Sequence, residues 1–244
     1  MTSIAPIITL SPRDYDAVLF DLDGVLTRTA SVHAAAWKRL FKACLEQRAA
    51  DTGEAFVAFD IETDDRRYVD GKPRSDGAAA FLAARGIVWP CGTPADGPGM
   101  HTVHALGNLK DQYFMQHLAQ HGVETYEETI VFVRTLRAQE ITTAVVSSSN
   151  HCAAVLEAAG IASLFDARVD GMEIARLALR GKPAPDAFLE AAQRVKAAPS
   201  RAVVVEDALA GVEAGRAGGF GCVIGVEHGG HTRRRCARLA PMWW

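Results

Sequence analysis

Four short apolar runs punctuate the chain: "AVLF" (17–20), "TTAVVSSS" (142–149), "RAVVVED" (201–207) and "GCVIGV" (221–226). Each is rich in β-branched residues or ends in small or polar ones. Near-continuous apolar runs of this length suit parallel strands buried on both faces. Helical patterns lie between them. Residues 151–159 are stopped by Gly160, 185–196 begin with Pro185 placed for a first turn, and 208–217 are closed by Gly218 and Gly219. Strands alternating with helices predict an α/β fold, a Rossmann-like doubly wound parallel sheet.

The first run is separated from the second by residues 21–141, too long for one crossover or for a structureless loop. This segment is mostly helical in pattern. Residues 32–48 place Trp37, Leu40, Phe41, Cys44 and Leu45 on one face, and residues 76–85 are stopped by Gly86. An inserted α-helical cap is therefore expected over 29–121, with the core formed by 1–28 and 122–244. Within the insert, "PCGTPADGPGM" (90–100) reads as a loop and "DIETDDRRYVD" (60–70) as a solvated surface turn.

Composition narrows the class without choosing a function. The 244 residues are 49% hydrophobic, enough to bury a sizeable core. Twenty-six Lys and Arg against 29 Asp and Glu give a net charge of −3, which recommends neither nucleic acid nor an anionic membrane as partner. Five scattered cysteines show no C-x-x-C spacing and fit a reducing compartment. The N-terminus does not read as a signal peptide, and no apolar run approaches the ~20 residues needed to span a bilayer. A cytoplasmic protein, by default monomeric, is the expectation.

The chemistry starts where the first apolar run meets "DLDG": Asp21 and Asp23 repel each other unless a cation or a proton intervenes. In open parallel sheets, ligands bind beyond the carboxyl ends of the strands. There the second run delivers Ser147, Ser148 and Ser149, the loop "RGKPAPD" delivers Lys182, and the third run delivers Glu206 and Asp207. Asp21, Asp23, Glu206 and Asp207 can share one hard cation, and an oxygen-only set favours Mg²⁺. Lys182 and a serine can hold a phosphate. Asp21 becomes a nucleophile that takes a phosphoryl group, with Asp23 as general acid and base.

"FDLDGVLT", "VVSSS", "GKPAPD" and "VVVEDALAGVEAGRAGG", in this order, resemble the four motifs of the haloacid dehalogenase-like phosphotransferases. The opening "DLDGVLTRTASVHAAAWKRLF" is similar to that of the β-phosphoglucomutase subgroup, whose helical cap follows the first motif. The resemblance implies that Thr29 and His33 begin the cap, with His33 relaying the cap's substrate contact to Asp23. It implies that Arg74, in "YVDGKPRSDG", grips a second phosphate and that Asn108 and Lys110 lie near the sugar phosphate. Ser147 is the expected phosphate contact, and either Asn150 or His151 continues it. The implied reaction converts β-glucose 1-phosphate to glucose 6-phosphate through the 1,6-bisphosphate. The alternatives are a phosphatase acting on a small phosphomonoester and an inactive member that only binds sugar phosphate.

Arg28 departs from the subgroup, which places an acidic residue at this hinge position. It reads either as a tolerated exchange or as a reversed hinge charge that alters cap closure. After the fourth run the chain continues "EHGGHTRRRCARLAPMWW", which reads either as a basic tail or as an altered terminus exposing Trp243 and Trp244. The pairs His101/His104 and His228/His231 read as loop residues, "GRAGGFG" as a helix stop, and Trp37 as cap packing.

Overall fold

The structure, a computed structural model, describes residues 10–226. The readings of the C-terminal stretch, including His228, His231, Trp243 and Trp244, lie outside the described residues. Five parallel strands form one sheet in these residues: β1 (Ala17–Phe20), β2 (Thr142–Val146), β3 (Ala167–Val169), β4 (Ala202–Glu206) and β5 (Cys222–Gly225), in the order β3-β2-β1-β4-β5. This is a Rossmann-like α/β core. β1 is central, and the order reverses beside it, which opens a crevice at the strand ends.

Side chains alternate across the sheet. Val18, Phe20, Val145, Val203 and Val205 pack with Ile130 and Val133 of α4 (Glu127–Ala138) and Val155 of α5 (Cys152–Ala158). Leu19, Val146 and Val204 pack on the other face with Phe188 of α7 (Asp186–Arg194) and Ala214 of α8 (Leu209–Ala217). A short α6 (Gly171–Arg176) follows β3. Because Phe20 is level with Val145 and Val205, Asp21 emerges beside Val146 and Glu206.

Residues between β1 and α4 form a helical lobe over that edge. Its helices are α1 (Ala30–Thr52), α2 (Arg74–Ala84) and α3 (Val103–His121), around an aromatic centre in which Phe41 lies 4.2 Å from Phe81 and 5.2 Å from the stacked Trp37. Trp37 is buried there, although part of it also reaches the central cavity. The two chain crossings are bonded to each other. Thr27 bridges Thr125 in antiparallel fashion, and the Arg28 N–H donates to Glu124 O at 2.9 Å. The Arg28 side chain lies 4.4 Å over Tyr126 and 3.9 Å from Glu124.

Two expectations are corrected. Ile61–Val69 is a π-helical segment rather than a solvated turn, with Asp65 and Val69 buried. Its wide turn is closed by Asp65 N donating to Asp60 O at 3.2 Å and Asp70 N to Asp65 O at 2.9 Å. Asp60 caps it by accepting from Thr63 N, and Asp64 pairs outward with Arg85. His104 is not a loop residue: Thr102 caps α3 by accepting from Ala105 N, which draws His104 into the first turn. His101 stacks on Trp89 at 4.9 Å. Cys44, Cys91 and Cys152 are free thiols. Among the described residues, no helix is long and apolar enough to cross a membrane.

Candidate active site

A tight turn carries the chain out of β1. Gly24 N donates to Thr27 O, and Thr27 N to Leu22 O. Gly24 has φ +85°, and a Cβ there would fall 1.8 Å from an Asp207 oxygen, so glycine is required. Lys182 is 2% exposed and donates to Asp21 Oδ1 at 2.5 Å and to Glu206 Oε1. The other oxygen of Glu206 accepts from Ala208 N at 2.9 Å. A Cβ on Gly211 would overlap Glu206, so the first turn of α8 is shaped around this carboxylate.

Asp21, Glu206 and Asp207 offer oxygens that all lie within 4.8 Å of one another. Burial pushes Asp21 well above the usual carboxylate range against the pull of Lys182, with Glu206 and Asp23 adding to the push. Burial, Glu206 and Asp21 do the same to Asp207. One lysine thus faces three carboxylates whose surplus negative charge suits a hard divalent cation, and the all-oxygen donor set fits one.

Asp23, expected from the sequence as a fourth ligand, has its carboxylate oxygens in contact with other side chains. Thr29 donates to Oδ1 at 2.5 Å, His33 Nε2 lies 3.1 Å from the same oxygen, and Ser147 donates to Oδ2 at 3.4 Å. Burial alone would raise its pKa, but His33, Thr29 and Lys110 more than offset this and hold it at about 2. His33 stacks on Phe114 at 3.9 Å, and its Nδ1 lies 2.5 Å from Lys110 Nζ. Burial and Lys110 hold the imidazole below its ordinary range, so the ring is neutral near pH 7. A Lys110 ammonium donates to Nδ1, which leaves the proton on Nε2 to donate to Asp23.

Burial lowers Lys110 itself to about 8. Its charge is therefore lost as pH rises through about 8, and with it the donor that fixes the His33 tautomer. Turnover is expected to fall over that interval. A kcat/KM profile checks this, with Lys110→Arg moving the fall to higher pH; a flat profile up to pH about 9.5 removes Lys110 from this role.

The cavity over these groups has a volume of about 380 Å³. Asp21, Asp23, His33, Arg74, Lys110, Ser148, Ser149, Asn150 and Asp207 reach its wall. Thr29 and Asn108, expected near the substrate, do not line it. Thr29 is occupied by Asp23, while Asn108 is turned to the loop carbonyls of Pro94 and Asp96 and accepts from Arg74 Nη2 at 3.0 Å. Ser148 donates to Gly71 O of the cap at 2.8 Å. Ser147 accepts from Ser149 N at 3.0 Å.

Asp111 was not anticipated. It pairs with Arg74 inside the cap and accepts from His151 Nε2, across from the core, at 2.7 Å. It directly follows Lys110 on α3, but nothing local in the sequence announces that His151 approaches it. Of the two open choices after the serines, Asn150 reaches the cavity and His151 ties core to cap.

Known proteins resemble this chain over most of its length. A beta-phosphoglucomutase of Mycobacterium bovis is 44% identical over 221 residues, covering 91% of this chain and 84% of the relative. A phosphorylated carbohydrates phosphatase of Thermotoga maritima is 26% identical over 221 residues, covering 87% and 86%. The crystal structure of a beta-phosphoglucomutase from Clostridium difficile matches with a TM-score of 0.66 over 88% of this chain and 85% of its own, at 22% identity, and so shares the fold. A family model described as haloacid dehalogenase-like hydrolase matches residues 15–219. From the strand that delivers Asp21 to the helix behind Glu206, the chain belongs to the haloacid dehalogenase-like hydrolases.

Proposed function

We propose that this enzyme is a Mg²⁺-dependent β-phosphoglucomutase, interconverting β-glucose 1-phosphate and glucose 6-phosphate through the 1,6-bisphosphate. The observation that carries the reading is Arg74: a cationic group of the cap faces the same cavity as Asp21 and suits a substrate with an anion at each end. The similarity to the mycobacterial beta-phosphoglucomutase supports it.

Mg²⁺ held by Asp21, Glu206 and Asp207 would screen the repulsion between carboxylate and phosphate. Lys182 orients the Asp21 carboxylate and offsets its charge. Asp21 Oδ attacks phosphorus, the bond from phosphorus to the sugar oxygen breaks, and Asp23 supplies the proton to that oxygen. In the opposite half-reaction, Asp23 starts as a carboxylate and takes the proton of the hydroxyl that attacks phospho-Asp21. Its low pKa suits the second role, and the chain of Lys110 and His33 ties its orientation to the cap. Ser148 on Gly71 and His151 on Asp111 join the lobes over the cavity and limit the entry of water.

The test supplies β-glucose 1-phosphate, Mg²⁺ and a trace of the 1,6-bisphosphate, and follows glucose 6-phosphate and free phosphate together. Glucose 6-phosphate outrunning free phosphate supports the mutase. Free phosphate alone supports the second reading, a sugar-phosphate phosphatase. Asp111 favours that second reading because it already neutralises Arg74. An inactive member is disfavoured by the intact set Asp21, Asp23, Lys182, Glu206 and Asp207.

Arg74→Ala is expected to weaken the bisphosphate by about 10- to 100-fold, the worth of a charge-assisted hydrogen bond. Inorganic phosphate should lose far less in competition assays. Equal losses would place the second phosphate elsewhere.

A further inference from the structure

One wall of the cavity holds a carboxylate that the reaction above does not use. Asp65 is 8% exposed, and its Oδ1 is the buried side-chain oxygen without a hydrogen-bond partner among the described residues. Buried polar atoms are almost always satisfied, so each exception calls for an explanation. Asp65 also sits in the π-helical segment, a backbone form that appears mostly as short insertions, often at functional sites. The widened turn brings Asp65, Val69 and Asp70 to the cavity wall alongside Trp37, His104 and Lys110. Its neighbour Asp64 instead pairs with Arg85.

An unpartnered carboxylate calls for a donor. A phosphate is the wrong complement, because Asp65 and Asp70 would both repel it, and the cavity already offers anion partners at Arg74 and near Lys182. A ligand ammonium is less suited than a hydroxyl, since Lys110 already acts on Asp65 as its nearby cation. What remains for the middle of a sugar phosphate is its ring hydroxyls.

We propose that Asp65 reads the sugar: its carboxyl group, at the cavity wall, hydrogen-bonds one ring hydroxyl of the substrate held in the cavity of Asp21 and Arg74, which makes it a determinant of sugar specificity. This rests on the sugar-phosphate reading of the site. Burial lifts the Asp65 carboxyl to about 7, with Asp70 adding to the rise, so an arriving donor also relieves a strained ionisation. A site that hydrogen-bonds a substrate hydroxyl discriminates strongly against the analogue lacking it, because its own polar atom is then left unpaired.

The experiment measures calorimetric binding of β-glucose 1-phosphate and its monodeoxy analogues to the wild-type chain, Asp65→Leu and Asp65→Asn, alongside glucose 6-phosphate formation. Thermal melting confirms that the variants are folded. Asp65→Leu is expected to bind the parent sugar about 10- to 100-fold more weakly. Asp65→Asn, which keeps an acceptor, should lose less. One deoxy analogue should lose a similar factor on the wild type and nothing further on Asp65→Leu, a coupling that a merely structural role does not produce.

If the variants bind all analogues as the wild type does while glucose 6-phosphate still forms, the Asp65 inference falls and the mutase stands. If the coupling appears but only free phosphate forms, the mutase reading falls and Asp65 stands. If no hexose phosphate binds the wild-type chain, both fall.

Discussion

Asp21→Asn is expected to abolish the phospho-enzyme and to lower turnover by about 10⁴-fold or more, since the proposed mechanism assigns the transferred phosphoryl to this carboxylate. Asp21 stands at the end of the central strand, with Lys182 on one oxygen and Asp23 two residues on. The amide keeps the shape but removes the anionic oxygen that would bond to phosphorus. It also leaves the Lys182 ammonium with Glu206 as its one carboxylate partner. Intact-mass measurement after incubation with a phosphoryl donor should show a phosphorylated wild-type chain and an unmodified variant. Phosphorylation of the variant, or turnover within tenfold of wild type, would move the nucleophile to another residue.

Lys182→Met is expected to have the largest effect on stability. The side chain is 2% exposed and neutralises Asp21 and Glu206, themselves 6% and 0% exposed. Methionine fills similar space but leaves both carboxylates without their cation. Breaking a buried pair in this way costs about 3–5 kcal/mol, a large share of a typical domain's stability. Urea unfolding without added metal should show a lower midpoint at unchanged slope. A midpoint equal to wild type would mean that water or protonation already neutralises the pair. Turnover should fall as well, because Asp21 loses the group that holds it in line.

Much of the core was legible because its signals are local. β1, β2, β4 and β5 follow near-continuous apolar runs, and Asp21, Lys182, Glu206 and Asp207 stand at their ends or in an adjoining loop. β3 escaped notice because it is three residues long with Arg168 at its centre. The segment at 61–69 escaped for a different reason. Its turn closes on the fifth residue rather than the fourth, and one of its two buried positions is the carboxylate Asp65, which no apolar pattern marks. Polar composition then made it look solvated.

The residues that join the lobes are illegible for a third reason. His151 and Asp111 are separated by 40 positions, and only the folded arrangement brings them to 2.7 Å. Thr29 and Asn108 show the converse: the motif draws attention to them, and the packing turns them toward Asp23 and Arg74 rather than toward the cavity.

The central place of β1 bears on how the chain is made. Its pairing partners begin at Thr142 and Ala202, so the strand that leads into Asp21 is synthesised first and completed late. Closing such distant pairs is entropically expensive and slows folding. The helical lobe lies between them and has its own aromatic centre, with contacts among α1, α2 and α3 that are nearer in sequence. On a ribosome adding about 5–20 residues per second, that lobe has seconds to condense before β2 is available to the waiting strand. During this interval "AVLF" is an apolar segment with both edges unpaired. Recombinant yield is therefore expected to depend on growth temperature and chaperone supply more than on any single contact in the finished site.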